Sequence, residues 1–172
     1  MKRERLKIVH LVNTHGHIDH TFGNAEAREA TGADVLIHKE DVQVLDYAPA
    51  ELLFSLGLSD YTAAEPDSFL DDGEEIVFGE HALKVIHTPG HTPGGVCLLG
   101  DGMLFSGDTL FADSVGRTDI PGGNWENLIR GIREKIFVLP DETDIYPGHG
   151  PATTVGHEKK FNPFAGEAAD KS

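Results

Sequence analysis

Cysteine is almost missing from this 172-residue chain: the single Cys97 leaves no partner for an internal disulfide and fits a reducing compartment. Positive charge is scarce as well. Against 29 acidic side chains stand 14 lysines and arginines, and a formal net charge of −15 repels phosphate backbones and anionic lipid surfaces at long range. Nucleic acid and membranes are therefore not expected as partners. The carboxylates are scattered rather than blocked, which reads as solvated surface. Long apolar runs are lacking: the basic start MKRERLK leads into IVHLVNTHGH, too short and too polar for a signal-peptide core or a membrane span. Internal repeats are absent. The reading is a cytoplasmic protein with 39% hydrophobic residues, enough to bury one core in one domain.

Periodicity then places the elements. Residues 6–12 (LKIVHLV) are β-branched and apolar enough for a buried strand, and the polar loop NTHGHIDHT follows its C-terminal end. Residues 22–30 have helix-forming composition and stop at Thr31-Gly32. ADVLIH predicts a second strand and KEDVQVLD a further helical turn. Between Tyr47 and Asp72, Pro49, Pro66 and mixed polarity predict an irregular or partly helical excursion, either over the site or merely on the surface. From Glu75 the short strands EIVFG, ALKVIHT, GVCLLG and MLFSG follow one another through turns such as Gly100-Asp101-Gly102. Residues 124–137 carry apolar side chains at 125, 128, 129, 132 and 136, the spacing of a helix burying one face, with Asn124 as N-cap. DIYPGHG gives one more strand and loop. The domain is expected to span 1–164, and 165–172 (AGEAADKS) to be a disordered tail.

Chemistry-bearing residues collect in the loops after strands. THGHIDH supplies His15, His17, Asp19 and His20 within six positions; an extended segment puts His15 and His17 on one side, and the turn into a helix can aim Asp19 and His20 the other way. His91 in HTPGHTPGG, Asp108 in LFSGDTLF and His149 in IYPGHGP each close a further strand. Five imidazoles and two carboxylates suffice for one site of three imidazoles and one of two imidazoles with a carboxylate, the second carboxylate bridging. Asp108 and Asp19 also have a local reading as turn-formers. His87, four residues before His91, is expected in a supporting role, and His10, His38, His81 and His157 in the core or on the surface. Cys97 between Val96 and Leu98 reads as a small core residue.

Together THGHIDH, TPGHTPG, SGD and YPGHG resemble, in order along most of the chain, the metallo-β-lactamase-fold hydrolases. VGRTDIPGG and GHEKKFNPF are similar to the small glyoxalase II-like (hydroxyacylglutathione hydrolase-like) branch. That resemblance implies an α/β (α+β) four-layer αββα sandwich with metals at one rim and the seven residues named above as ligands. Only 14 residues precede His15, so some N-terminal strands of the sandwich are expected to be missing. Two divalent ions, zinc first and iron or manganese as alternatives, lower the pKa of a water between them from about 15.7 toward about 7, so that a bridging hydroxide attacks the carbonyl. Asp19 would orient that nucleophile. Asp108 stands where zinc β-lactamases of the Cys-containing type have a thiol, and His20 where they have a non-ligand, which points to thioesters. The resemblance implies S-D-lactoylglutathione as substrate, with Arg117 a candidate for a substrate carboxylate. Two rival readings stand beside this one: a mono-iron oxidoreductase similar to persulfide dioxygenase, which shares the histidine motif and GRTD, and an inactive truncated module.

Overall fold

The computed structural model describes residues 6–47, 50–58 and 61–169. The first third holds β1 (His10–Val12), α1 (Ile18–Thr21), α2 (Asn24–Thr31), β2 (Asp34–His38), a 3-10 turn (Lys39–Asp41), α3 (Val42–Leu45), α4 (Ala50–Leu56) and β3 (Ser68–Leu70). The rest holds β4 (Glu75–Phe78), β5 (His81–His87), β6 (Val96–Gly100), β7 (Met103–Gly107), β8 (Leu110–Phe111), β9 (Ser114–Val115), α5 (Trp125–Gly131), a π-helical turn (Ile132–Ile136), β10 (Asp144–Pro147), β11 (Thr153–Thr154) and α6 (Val155–Phe161).

β1, β2 and β3 form a parallel three-stranded sheet, and a six-stranded sheet runs in the order β11-β10-β7-β6-β5-β4. Between the two sheets lie Leu36, Leu70, Ile76, Val85, Val96 and Leu98. On the other face of the larger sheet, Ile86, Cys97, Leu104 and Ile145 pack against Leu128, Ile132 and Ile136 of the α5 region and Val155 of α6. Val85 and Ile86, like Leu98 and Cys97, are sequence neighbours that serve opposite layers, as the two-residue repeat of a strand requires. Each fully buried Leu or Ile contributes about 1.5–3 kcal/mol. With α2 over β1 and β2, the layers are helix, sheet, sheet, helix.

Several elements differ from the sequence reading. β1 covers only the last three residues of the expected 6–12 strand, because its partner β2 begins at Asp34, opposite His10, and beyond it lies the Gly32 turn that caps α2. The excursion between Tyr47 and Asp72 contains α4 and, unanticipated, β3, three residues long and pairing with β2. The expected helix of 124–137 changes at Ile132 to a π turn, with Phe137 N–H donating to Ile132 C=O at 2.8 Å. Of the tail expected to be disordered, Ala165 is 2% exposed and donates its N–H to Asn162 Oδ1; residues 170–172 lie outside the described residues. Among the described residues no helix is long and apolar enough to cross a membrane.

Strand direction sets the location of the site. β5 and β7 are both antiparallel to β6 and so run the same way, and β10 is parallel to β7. Their C-terminal ends share one rim, and from those ends depart the loops with His91, Asp108 and His149. The loop after β1 joins them there, where Val96 N–H donates to Thr14 C=O at 2.8 Å.

Candidate metal centre

All seven candidate ligands meet at this rim. The chain bends at Thr14 and His15 rather than running extended through the motif, His17 caps α1 with φ −66° and ψ 147°, and that one-turn helix carries Asp19 and His20. One trio is His15, His17 and His91; another is Asp19, His20 and His149; a third joins His15 and His20 to Asp108. His17 Nδ1 lies 3.0 Å from His91 Nε2, and His149 Nε2 lies 3.2 Å from His20 Nε2 and 3.1 Å from Asp19 Oδ2. Asp108 stands between the trios: Oδ1 is 3.4 Å from His20 Nε2, and Oδ2 is 3.6 Å from His91 Nε2 and 3.7 Å from His149 Nε2.

These residues fit metal ions better than they fit one another. Two ligands at about 2.1 Å from a tetrahedral ion stand roughly 3.4 Å apart, near the separations above. His15 Nε2 and Asp108 Oδ1 are buried with no hydrogen-bond partner, a costly arrangement that a cation between them relieves. His91 Nδ1 donates to Arg117 C=O at 2.8 Å, so its Nε2 carries the lone pair toward His17. Burial, followed by the neighbouring His20, His91, His17 and His149, pushes His15 well below the ordinary imidazole range. His17 falls to about 4 through burial and His91. Burial also lowers His20, although Asp108 and Asp19 oppose it. Burial raises Asp108 against the pull of His20, His91 and His149. Burial thus favours the neutral form of His15, His17 and His20, the state in which imidazole binds metal.

One residue that holds the site together was missed in the sequence. Asp41, fully buried, accepts from Gly16 N–H at 2.8 Å and Thr92 Oγ1–H at 2.8 Å through Oδ2, and from Gly94 N–H at 2.5 Å through Oδ1. Its carboxylate therefore clamps the loop between His15 and His17 to the turn that follows His91. Burial raises its pKa, opposed by those same three hydrogen bonds. Gly148 is needed for a related reason: a Cβ there would run into Asp108 Oδ1 and His20 Cε1. Arg117 reaches the site through its carbonyl, while its guanidinium forks onto Asp119 at 2.9 and 3.0 Å. His87 stands outside the cluster, donating Nε2–H to Pro93 C=O at 2.9 Å and stacking on His38 with ring centroids 4.1 Å apart. Cys97 lies in the core with its thiol pushed up by burial.

Known proteins resemble this chain in sequence and in fold. Hydroxyacylglutathione hydrolase GloC of Haemophilus influenzae is 36% identical over 157 residues, which cover 90% of this chain and 74% of that protein. Among solved structures, the BLEG-1 B3 metallo-beta-lactamase superposes with a TM-score of 0.81 at 37% identity, over 95% of this chain and 80% of that one. TTHA1623 in a di-iron-bound form superposes with a TM-score of 0.75 at 34% identity, over 91% and 77%. Residues 1–149 match the profile of the metallo-beta-lactamase superfamily, and the chain belongs to that superfamily.

Proposed function

We propose that this chain is a dinuclear metal-dependent hydrolase acting on thioesters of the S-D-lactoylglutathione kind. The observation that carries the reading is the position of Asp108, within 3.4–3.7 Å of imidazoles from both trios, where its carboxylate could be shared by two ions. His15, His17 and His91 would hold one ion, and Asp19, His20 and His149 the other, with Asp108 shared. Ions held there supply a water activated near neutral pH and a polarised carbonyl. Zinc suits this donor set, and iron, present in TTHA1623, takes imidazole and carboxylate as well.

The chain's own residues do the rest. Asp19, 46% exposed at its side chain, faces the open side of the cluster and can accept a proton from the attacking water and orient it. His149, also half-open, borders the same space, while His15 is buried and Asp108 mostly covered. Among the described residues no serine or cysteine joins the cluster, and Cys97 is buried in the core. The likeness to GloC favours the thioester, and the likeness to BLEG-1 makes a β-lactam amide the second class of acyl compound to assay.

Purified protein with its native metal, assayed on S-D-lactoylglutathione and on a penicillin, tests the reading. Thioester turnover that a chelator abolishes and divalent ions restore supports it. β-Lactam turnover alone moves the substrate class to amides. A single iron with persulfide-dependent oxygen uptake replaces hydrolysis with oxidation, and no metal-dependent turnover of any kind means an inactive module.

A further inference from the structure

A cavity of about 220 Å³ opens beside the first trio. His17 lines it together with Val44, Tyr47, Pro93 and Pro121, which supply apolar walls, and the acidic Glu40. Among the described residues neither lysine nor arginine lines it. Arg117, four residues before Pro121, has its guanidinium occupied by the bidentate pair with Asp119, and Lys39, which precedes Glu40 in the chain, is exposed and does not line the cavity. Glu40 is exposed and stands close to the stacked His38 and His87, its carboxylate within 4.8 Å of their ring nitrogens. Burial and the His87 charge hold His38 below the usual imidazole range, so at neutral pH it does not offset the charge of Glu40.

Size and charge together restrict what enters. Pockets that take drug-sized ligands run from about 300 to 1,000 Å³, so a tripeptide thiol does not fit here whereas a short acyl chain does. An acyl group ending in a carboxylate would leave water to face Glu40, a like charge; one ending in an ammonium group would meet an opposite charge. We propose that this cavity is the acyl-group pocket, and that Glu40 makes it select small acyl groups that are neutral or cationic and reject those ending in a carboxylate. This rests on the hydrolase reading for its chemistry, but the selection itself is a binding property.

The test uses metal-loaded protein and three ligands built on one uncharged thiol, N-acetylcysteamine: hexanoyl, 6-aminohexanoyl and adipoyl. Thioethers with CH2 in place of the carbonyl report binding by calorimetry, and the thioesters report turnover. The ammonium-ended thioether should bind at least about five-fold more tightly than the carboxylate-ended one, the scale of one exposed ion pair gained against one like-charge contact. Glu40→Gln should collapse that ratio and Glu40→Lys invert it, while Asp119→Asn, which frees Arg117, should improve binding of the carboxylate-ended ligand. Equal or tighter binding of the carboxylate-ended thioether to the unmodified protein, a ratio indifferent to Glu40→Gln, or no binding of any of the three overturns the assignment. If the binding order holds and no thioester turns over, the hydrolase reading fails and the pocket assignment stands.

Discussion

At His15, burial and four neighbouring imidazoles act in the same direction, holding the ring well below the ordinary imidazole range, and its buried Nε2 has no hydrogen-bond partner among the described residues. His15→Ala should therefore lose bound metal without losing the fold, as elemental analysis and a far-ultraviolet circular dichroism spectrum would together show. Asp41 is the opposite kind of residue, touching no proposed ligand side chain and holding the two loops that carry three of them. Asp41→Asn places an amide donor against backbone N–H groups, and leaving buried donors unsatisfied costs about 1–3 kcal/mol each. Weakened support for ligands commonly lowers metal affinity by about 10–100-fold, so competition with a chelating dye should show a loss in that range. The histidine motif is legible in the sequence because seven ligands concentrate in four short loops. Asp41 is not, because it sits in KEDVQVLD among ordinary helix acids and its partners, two backbone N–H groups and the Thr92 hydroxyl, lie 25, 53 and 51 residues away.

Among the elements, α5 is tied directly to the site. Asn124 Oδ1 accepts from Asn127 N–H at 2.9 Å, the N-cap expected from sequence, and Asn124 N–H donates to Gly90 C=O at 2.7 Å, one residue before His91. Asn124→Ala should lower stability by about 1 kcal/mol, readable as a shift in the urea midpoint. Gly90, at φ 149°, lies against the backbone of Leu128, where a Cβ would come within 2.5 Å. Gly90→Ala should thus displace α5 or the His91 turn, and the expected outcome is a lower melting temperature together with weaker metal binding. The meander β4 to β7 and the capped helix were readable because their patterns run for four or more residues. β3, β8, β9 and β11 were not, since two or three residues carry no periodicity and depend on tertiary pairing. α6 was hidden for a different reason: its Thr154 cap and buried Val155 fall in a segment whose sequence reads first as a loop.

Across the whole molecule, the lowered pKa values couple folding to pH. In metal-free protein His17 titrates near 4 when folded and near 6.5 when unfolded, so the unfolded chain binds more protons between those values. Stability is present above about 6.5 and is lost as pH falls toward 4, with His15 and His20 adding in the same direction. Burial shifts Asp41 and Asp108 upward, so their protonation offsets part of the loss. Thermal melts of the chelated protein at pH 7.5 and 5, an interval spanning most of that window, should show a lower midpoint in acid; saturating metal should raise the midpoint most at the higher pH, where the rings are free to bind.

The central claim is that two ions share one centre through Asp108, and the most direct measurement is calorimetric titration of zinc into the stripped protein, with elemental analysis of the product. The account predicts two ions per chain for the unmodified protein and a clear loss of the second in both Asp108→Asn and His149→Ala. A single ion at saturation, or two ions that remain in both variants, would contradict it.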